Sequence, residues 1–155
     1  MPTLYVVATP IGNLSDMSPR AIETLRSVQL IAAEDTRVTM KLLNAFGIST
    51  PLTSCHEHNE RSKAVQIAER MLAENIDVAV TTDAGTPCIS DPGSVLVREA
   101  TERGIPAVAV SGPTAMASAL SVSGMDISEF TFYGFLPRQK NELCLLYTSD
   151  AADER

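Results

Sequence analysis

Two carboxylates and a guanidinium lie next to each other early in the sequence, at Glu34, Asp35 and Arg37. They directly follow a short apolar run and precede a helical pattern. One of the carboxylates could act as a general base or position a substrate hydroxyl, while Arg37 could bind a phosphate. A simpler interpretation is that Asp35 or Thr36 is the N-cap of the following helix. Both interpretations stay open here.

A second acidic pair, Asp83 and Asp91, flanks a loop of small residues. A carboxylate in such a loop can accept hydrogen bonds from a ribose hydroxyl or an amino group. Asp91 precedes Pro92 at the start of a predicted helix, and for this residue we expect a capping role.

The segment of Cys55, His56, Glu57 and His58 contains four consecutive residues of types that bind metals. Adjacent ligands without a second, distant pair rarely complete a tetrahedral site, and we therefore expect no metal. A solvated loop or a substrate contact is the favoured interpretation. Asn59 is predicted to cap the helix that follows.

Three loops rich in glycine, proline and small polar residues follow apolar runs, at residues 9–13, 82–87 and 111–115. At the carboxyl edge of a parallel sheet, such residues let the backbone approach a ligand closely. The sequence contains neither the dinucleotide-binding glycine fingerprint nor the phosphate-binding loop of nucleotide triphosphatases. The pattern therefore predicts a ligand cleft, without support for a nicotinamide cofactor or a nucleotide triphosphate.

Strands and helices alternate along the chain to position these loops. Strands are predicted at residues 4–8, 30–33, 50–54, 76–81 and 105–110. Helices are predicted at residues 20–28, 38–46, 59–75, 92–103 and 114–123, the first of them capped by Ser18 and the second and fourth closed by Gly47 and Gly104. Strict alternation predicts an α/β fold with a doubly wound, mostly parallel five-stranded sheet and helices on both faces. It does not determine the strand order.

The sequence changes character after this pattern. Residues 130–135 are predicted to form an aromatic strand, followed by a polar connector. We expect a cofactor-cleft domain over residues 1–124, a connector with the start of a second, truncated domain over residues 125–142, and a tail over residues 143–155 that is unlike what precedes it and lies outside the fold.

Composition narrows the classes of protein further. The hydrophobic content is 45% and the formal net charge is −7, which argues against binding nucleic acid over the whole surface but permits a local basic patch. No apolar run approaches the ~20 residues that span a bilayer, and the N-terminus lacks a signal-peptide pattern. A cytoplasmic location and no membrane partner are therefore expected. The three cysteines are too few for a disulfide framework.

Four ordered motifs resemble those of a known family, the bacterial 16S rRNA (cytidine-2′-O)-methyltransferases of the tetrapyrrole methylase superfamily. They comprise residues 4–14, 33–37, 83–93 and 111–113, and the resemblance extends over roughly residues 3–141. It implies S-adenosylmethionine as the cofactor, held in a cleft between two α/β domains, and a homodimer. It also implies methylation of the ribose 2′-hydroxyl of a cytidine in the decoding centre of 16S rRNA, within the small ribosomal subunit.

The resemblance also suggests roles for individual residues. The expected cofactor-binding residues are Pro10, Gly12, Asp83, Ala84, Gly85, Thr86, Pro87, Ile89, Ser90, Ser111, Gly112, Pro113, Thr114 and Ala115. The candidates for the general base are Asp35, Glu34 and His56. The expected RNA-binding residues are Arg37, Lys41, Arg61 and Lys63.

Two other functions are compatible with the same loops: a small-molecule methyltransferase of the tetrapyrrole-modifying type, and a non-catalytic α/β module that binds a nucleotide-like ligand. Because the resemblance places the cofactor between two domains and this chain holds the first, we expect the isolated chain to be inactive or nearly so.

Overall fold

The structure is a computed structural model that describes residues 1–141, 143 and 144. Five strands form a single sheet in the order β3-β2-β4-β1-β5, with every pair of neighbours parallel. The strands are β1 (Leu4–Val7), β2 (Leu30–Ala33), β3 (Leu52–Ser54), β4 (Val78–Thr81) and β5 (Ala107–Val110). The predicted doubly wound α/β fold is confirmed, and the structure adds the strand order.

Helices connect the strands in the predicted alternation. They are α1 (Pro19–Ser27), α2 (Thr36–Ala45), α3 (Glu60–Glu74), α4 (Ser94–Glu102) and α5 (Ala115–Ser121), with a short 3₁₀ helix at Leu14–Asp16. The predicted N-cap of α1 is confirmed, because the Ser18 hydroxyl accepts a hydrogen bond from the Ala21 amide at 3.0 Å. Gly47 and Gly104 end α2 and α4 at φ angles of 62° and 77°, a region that favours glycine.

The helices cover both faces of the sheet and bury two separate apolar clusters. The chain runs from β1 outward to β2 and β3, then returns through β4 to β5, so right-handed crossovers send α1 and α2 to one face and α3 and α4 to the other. Accordingly, Leu25 and Leu43 pack in one cluster, while Met71 and Leu96 pack in the other. Both clusters are shielded from water, which is the main stabilising contribution to such a fold.

The strand order brings the chemistry-bearing loops together. β4, β1 and β5, which precede the three glycine- and proline-rich loops, are adjacent in the sheet. β2, which precedes Glu34 and Asp35, lies on the other side of β4. Because α2 and α4 leave these neighbouring strands toward opposite faces, the sheet edge above β2 and β4 is a topological switch point, where ligands of open α/β sheets bind.

The chain divides into a compact unit, Met1–Met125, and a second unit, Asp126–Arg155. The aromatic strand predicted at residues 130–135 is wrong: the structure shows no strand there, and Phe130, Phe132 and Phe135 are exposed. A strand needs a neighbouring strand to satisfy its backbone groups, and the described residues of this unit supply none. Most of the tail proposed for residues 143–155 lies outside the described residues.

One predicted cap is wrong and another is confirmed in position only. Asp91 does not cap α4, whose N-cap is Gly93. Asn59 is the N-cap residue of α3, but its side chain makes no hydrogen bond to that helix. The Asn59 Oδ1 atom instead accepts a hydrogen bond from the His56 amide at 2.9 Å, which closes the turn before α3. No helix among the described residues is long and apolar enough to cross a membrane.

Candidate functional site

The loops after β1 and β4 are joined directly through their backbones. The Thr9 amide donates to the Gly85 carbonyl at 2.9 Å, and the Gly85 amide donates back to the Thr9 carbonyl at 3.0 Å. The buried Thr9 hydroxyl also donates to the Thr82 carbonyl at 3.2 Å. The two loops therefore form one connected edge rather than two separate turns.

The loop after β5 closes against the same edge. The Thr86 hydroxyl donates to the Pro113 carbonyl at 3.3 Å. A Cβ atom at Gly112 would lie 3.0 Å from the Cβ atom of Ala8, closer than ordinary packing allows. Glycine at residue 112 lets the β5 loop approach β1 closely, and the small residues of these loops therefore have a packing role in addition to any contact with a ligand.

Glu34 joins β2 to β4 across the switch point. Its Oε2 atom accepts a hydrogen bond from the Thr82 hydroxyl at 2.6 Å and another from the Asp83 amide at 3.2 Å. In the reverse direction, the Asp35 amide donates to Asp83 Oδ1 at 3.2 Å. Residues far apart in the sequence thus meet at the carboxyl ends of two adjacent strands, as expected for a parallel sheet.

Burial and the mutual repulsion of the carboxylates of Glu34, Asp83 and Asp91 raise the pKa values of Asp83 and Asp91 at this edge. Burial raises the pKa of Asp83, and the negative charge of Glu34 raises it further. Burial likewise raises the pKa of Asp91, followed by the charges of Glu34 and Asp83. Such an excess of negative charge favours a positively charged ligand group or a hydroxyl donor at this site.

Asp35 differs from the other carboxylates because Arg37 neutralises it. Arg37 Nε and Nη2 lie 3.1 Å and 2.7 Å from the two oxygens of Asp35, in a two-pronged ion pair. The side-chain hydrogen bond from Arg37 lowers the pKa of Asp35 to about 2. Asp35 Oδ1 also accepts from the Arg37 amide at 2.8 Å, so the capping interpretation of Asp35 is confirmed.

A cavity of about 330 Å³ opens between the β1 loop, α2 and the end of β4. Pro10, Gly12 and Asp83 of the predicted cofactor-binding set line it, as does Lys41 of the predicted RNA-binding set. The remaining predicted cofactor-binding residues, between Ala84 and Ala115, do not line this cavity. They surround the neighbouring part of the same sheet edge, in the loops after β4 and β5.

The loop between β4 and α4 has an unusual backbone. Cys88 and Ser90 have φ angles of 70° and 65°, a left-handed conformation that is uncommon for residues other than glycine. Gly93 has φ of 120°, and a Cβ atom there would lie 3.1 Å from Cys88 Sγ and 3.2 Å from Val80 Cγ2. Non-glycine residues held in such conformations often cluster at ligand sites.

A distant carboxylate holds the end of this loop. Glu60 Oε1, on α3, accepts hydrogen bonds from the Gly93 amide at 2.7 Å and the Val95 amide at 3.2 Å. Burial, assisted by the charge of Glu60, raises the pKa of Cys55 and of Cys88 to about 11. Both thiols are therefore protonated at neutral pH, which makes them poor nucleophiles.

His56 follows β3, one strand beyond β2. Its ring makes an edge-on contact with the ring of His58, with 5.9 Å between the centroids. The buried Nδ1 atom of His56 has no hydrogen-bond partner among the described residues. Those residues also contain no group of three or more His, Cys, Asp or Glu placed to hold a metal ion.

The four predicted RNA-binding residues fall into two groups. Arg37 and Lys41 lie one turn apart on α2, whereas Arg61 and Lys63 lie in the first turn of α3, over the opposite face of the sheet. Of the four, Lys41 lines the cavity, whereas Lys63 lies beside Leu30 and Thr53 in a separate depression. The Arg37 side chain is 87% exposed despite its contact with Asp35.

Sequence reasoning missed several residues that the structure brings to the site. The cavity lining includes one face of α2, formed by Val38, Leu42 and Ala45. Their helical spacing was visible in the sequence, but the same spacing is typical of a core-facing helix surface. Glu60 gave no local signal, because its partner Gly93 lies 33 residues away. Thr82 belongs to a predicted ligand loop, but its bond to Glu34, 48 residues earlier, was not predictable.

Comparison with known proteins supports a specific relationship. A family model described as "Tetrapyrrole (Corrin/Porphyrin) Methylases" matches residues 3–143. The chain is 55% identical over 135 residues to a protein of Pseudomonas aeruginosa named "Ribosomal RNA small subunit methyltransferase I", a match that covers 87% of this chain and 48% of the relative.

Proteins of the same name give similar matches in distant bacteria. The relative in Synechocystis is 47% identical, covering 100% of this chain and 55% of the relative. The relative in Bacillus subtilis is 51% identical, covering 92% of this chain and 48% of the relative. The chain thus spans about half the length of these curated relatives. The family match covers most of its residues, and the chain belongs to the tetrapyrrole (corrin/porphyrin) methylase family.

Proposed function

We propose that this chain carries the cofactor-binding part of an S-adenosylmethionine-dependent enzyme that methylates 16S rRNA. The observation that carries the proposal is the joined edge of the sheet, where the loops after β1, β4 and β5 are linked by hydrogen bonds beside a cavity lined by Asp83. The names of the relatives indicate the substrate class.

The residues at this edge fit the cofactor. A cavity of about 330 Å³ is within the range of small-molecule sites, about 300–1,000 Å³. S-adenosylmethionine is positively charged at sulfur and at its amino group, and the excess of carboxylates from Glu34, Asp83 and Asp91 complements that charge. The buried Thr81 hydroxyl, at the end of β4, has no hydrogen-bond partner among the described residues and is a further polar group at this edge.

Pro10, Gly12 and Asp83 would hold the cofactor from the cavity side. Gly12 has φ of 135° and nothing within 4 Å of the position of a Cβ atom, so its backbone is open to a ligand. The loops of residues 84–90 and 111–115 would form the remaining walls. The bound cofactor supplies an activated methyl group and its leaving group.

The chain's own residues must then hold the attacking ribose oxygen and accept its proton. We assign the proton acceptor to the Glu34–Asp83 pair, because the pKa of Asp83 is raised and a stronger base is a better proton acceptor. Asp35, whose pKa of about 2 makes it a weak base, is paired with Arg37 instead. His56 is the alternative base.

The substrate would be the ribose 2′-hydroxyl of a decoding-centre cytidine, presented by the small ribosomal subunit. Arg37, Lys41, Arg61 and Lys63 would contact phosphates at the start of α2 and α3. These contacts position RNA without reading its sequence, and a local cluster can do so despite the net charge of −7. We further propose a cytoplasmic protein that acts as a homodimer at full length.

Calorimetric titration with S-adenosylmethionine tests the cofactor assignment. Two proteins are compared: this chain, and a longer chain that joins it to the C-terminal half of the Pseudomonas aeruginosa relative. We expect saturable binding to the longer chain and weaker binding to this one. If neither binds the cofactor, the methyltransferase assignment fails and a non-catalytic module becomes the better interpretation.

Methyl transfer to small ribosomal subunits tests the substrate and the base. With the longer chain, we expect label from the cofactor methyl group at a cytidine 2′-oxygen of 16S rRNA. Glu34→Gln and Asp83→Asn should each lower kcat by about 10²-fold or more, whereas Asp35→Asn should lower it far less. A loss of activity in Asp35→Asn equal to that in Glu34→Gln would contradict the assignment of the base.

A further inference from the structure

Glu60 is the one residue of α3 whose side chain is hydrogen-bonded to the start of α4 among the described contacts. A single carboxylate oxygen, Oε1, lies 2.7 Å from the Gly93 amide and 3.2 Å from the Val95 amide. We propose that Glu60 is a positioning residue that fixes the β4–α4 loop in its cofactor-binding conformation. This inference rests on the function proposed above.

The start of α4 needs such an acceptor because it has none of its own. The first amides of a helix lack partners within the helix and require capping. The N-cap residue of α4 is Gly93, which has no side chain, and Asp91 does not make this contact. A carboxylate is the best available acceptor here, since the N-terminus of a helix favours negative charge.

The loop is held at both ends, and Glu60 supplies the second attachment. At its beginning, Gly85 is fixed to Thr9 by two backbone hydrogen bonds. At its end, Gly93 is bonded to Glu60. Between these points, Cys88 and Ser90 keep left-handed φ angles, which persist only when the surroundings enforce them. Release of the Gly93 end would therefore let residues 86–92 relax to other conformations.

Glu60 also connects this loop to a different region of the candidate site. It lies in the first turn of α3, beside Arg61 and Lys63, and follows the turn that Asn59 closes through the His56 amide. Arg61 and Lys63, two of the proposed phosphate contacts, therefore lie in the same turn of α3 that holds the cofactor loop.

Cofactor affinity and amide exchange together test the proposal. Glu60→Ala removes the acceptor, Glu60→Gln keeps one uncharged oxygen, and Glu69→Ala removes an exposed carboxylate from the same helix as a matched control. In the longer chain, Glu60→Ala should weaken S-adenosylmethionine binding by about tenfold, the equivalent of one lost hydrogen bond to a charged group. Glu60→Gln should restore most of this loss, and Glu69→Ala should change nothing.

Hydrogen exchange, measured on this chain without cofactor, provides the second readout. In Glu60→Ala, the Gly93 and Val95 amides should exchange about tenfold faster while amides in the middle of α3 keep their rates. A merely structural role would accelerate exchange throughout both helices.

The outcomes separate the inference from the proposed function. If the unsubstituted longer chain binds the cofactor and Glu60→Ala binds it equally well, the positioning role is overturned while the proposed function stands. Unchanged exchange at Gly93 and Val95 also overturns it. If the unsubstituted longer chain binds no cofactor, the proposed function fails, and the positioning role fails with it.

Discussion

Helices α2 and α4 both follow neighbouring strands at the carboxyl edge of the sheet, α2 after a short turn and α4 after a long loop, yet they are capped in different ways. α2 is capped by Asp35, whose carboxylate accepts from the amide of Arg37, two residues further on. α4 has Gly93 as its N-cap, and the acceptor for the Gly93 amide is Glu60, which lies 33 residues earlier on α3. One cap is local in the sequence, and the other depends on the tertiary structure.

The difference between the two caps determines which side chains and loops near each helix start remain available for other contacts. Asp35 uses both of its oxygens within its own segment and leaves the neighbouring Glu34 to bridge to β4. The N-cap residue of α4 is a glycine, which has no side chain to cap the helix. Because Gly93 has no Cβ atom, its backbone can lie close to Val80 and Cys88. The helix that is capped from a distance is therefore the one that follows the loop we assign to the cofactor.

The largest expected effect is that of Gly93→Ala. A side chain at φ of 120° is strained, and its Cβ atom would lie 3.1–3.2 Å from Cys88 and Val80. Left-handed backbone costs roughly 1–2 kcal/mol for a residue with a Cβ atom, and overpacking adds roughly 1–3 kcal/mol. We expect the free energy of unfolding to fall by about 3 kcal/mol, measured by urea denaturation.

Gly104→Ala is the matched control for this substitution. Gly104 also has a positive φ, 77°, but nothing lies within 4 Å of a Cβ atom there. It should show only the backbone cost of roughly 1–2 kcal/mol. If the free energy of unfolding falls equally in the two variants, the close packing around Gly93 does not contribute to the cost of the substitution.

The next effect is that of Glu60→Ala on stability. Two amides at the start of α4 would lose their acceptor, and a buried donor without a partner costs about 1–3 kcal/mol. Urea denaturation of Glu60→Ala and Glu69→Ala should show this loss in the first variant and almost none in the second. If both variants unfold at the same urea concentration, the distant cap adds nothing to stability.

The sequence predicted the features that depend on local contacts and missed those that depend on distant contacts. The alternation of strands and helices, the Ser18 cap of α1 and the glycines that end α2 and α4 are local signals, and the structure confirms them. The capping prediction for Asp91 was wrong because the sequence places Pro92 in a typical first helical position, whereas α4 begins two residues later.

The candidate site was predictable only in part. Three loops could be expected at one edge, because the carboxyl ends of parallel strands share an edge. The order β3-β2-β4-β1-β5, which makes those loops neighbours and sets Glu34 against Thr82, is not encoded by any local pattern. The cofactor, base and RNA-binding assignments of single residues stay predictions.

A smaller effect is expected at the local cap. Asp35→Ala removes the acceptor for the Arg37 amide and the partner of its guanidinium, whereas Asp35→Asn keeps a capping oxygen. We expect Asp35→Ala to destabilise the protein less than Glu60→Ala does, and Asp35→Asn to be nearly neutral, both measured by urea denaturation. A larger loss in Asp35→Ala than in Glu60→Ala would reverse the ranking of the two caps.

The smallest expected effect is a change in the pKa of the Asp35 carboxyl when Arg37 is replaced. Arg37 lowers the pKa of Asp35 from its ordinary 3.8 to about 2. Because folding favours the ionised carboxylate, its stabilising contribution is complete above pH 4 and is lost as the pH falls toward 2. In Arg37→Ala the side-chain hydrogen bonds disappear but the amide of residue 37 still donates, so the pKa of Asp35 should lie between about 2 and 3.8.

Titration of the Asp35 carboxyl by NMR measures this value, with Lys41→Ala as a control that removes a positive charge from the same helix without touching Asp35. The stability of Arg37→Ala should also decline less steeply between pH 4 and pH 2 than that of the unsubstituted chain, because less of its carboxylate stabilisation remains to be lost. An Asp35 pKa that stays near 2 in Arg37→Ala would show that the backbone cap alone holds the carboxylate ionised. The local cap would then be independent of its ion pair, and Arg37 would be fully available to bind a phosphate.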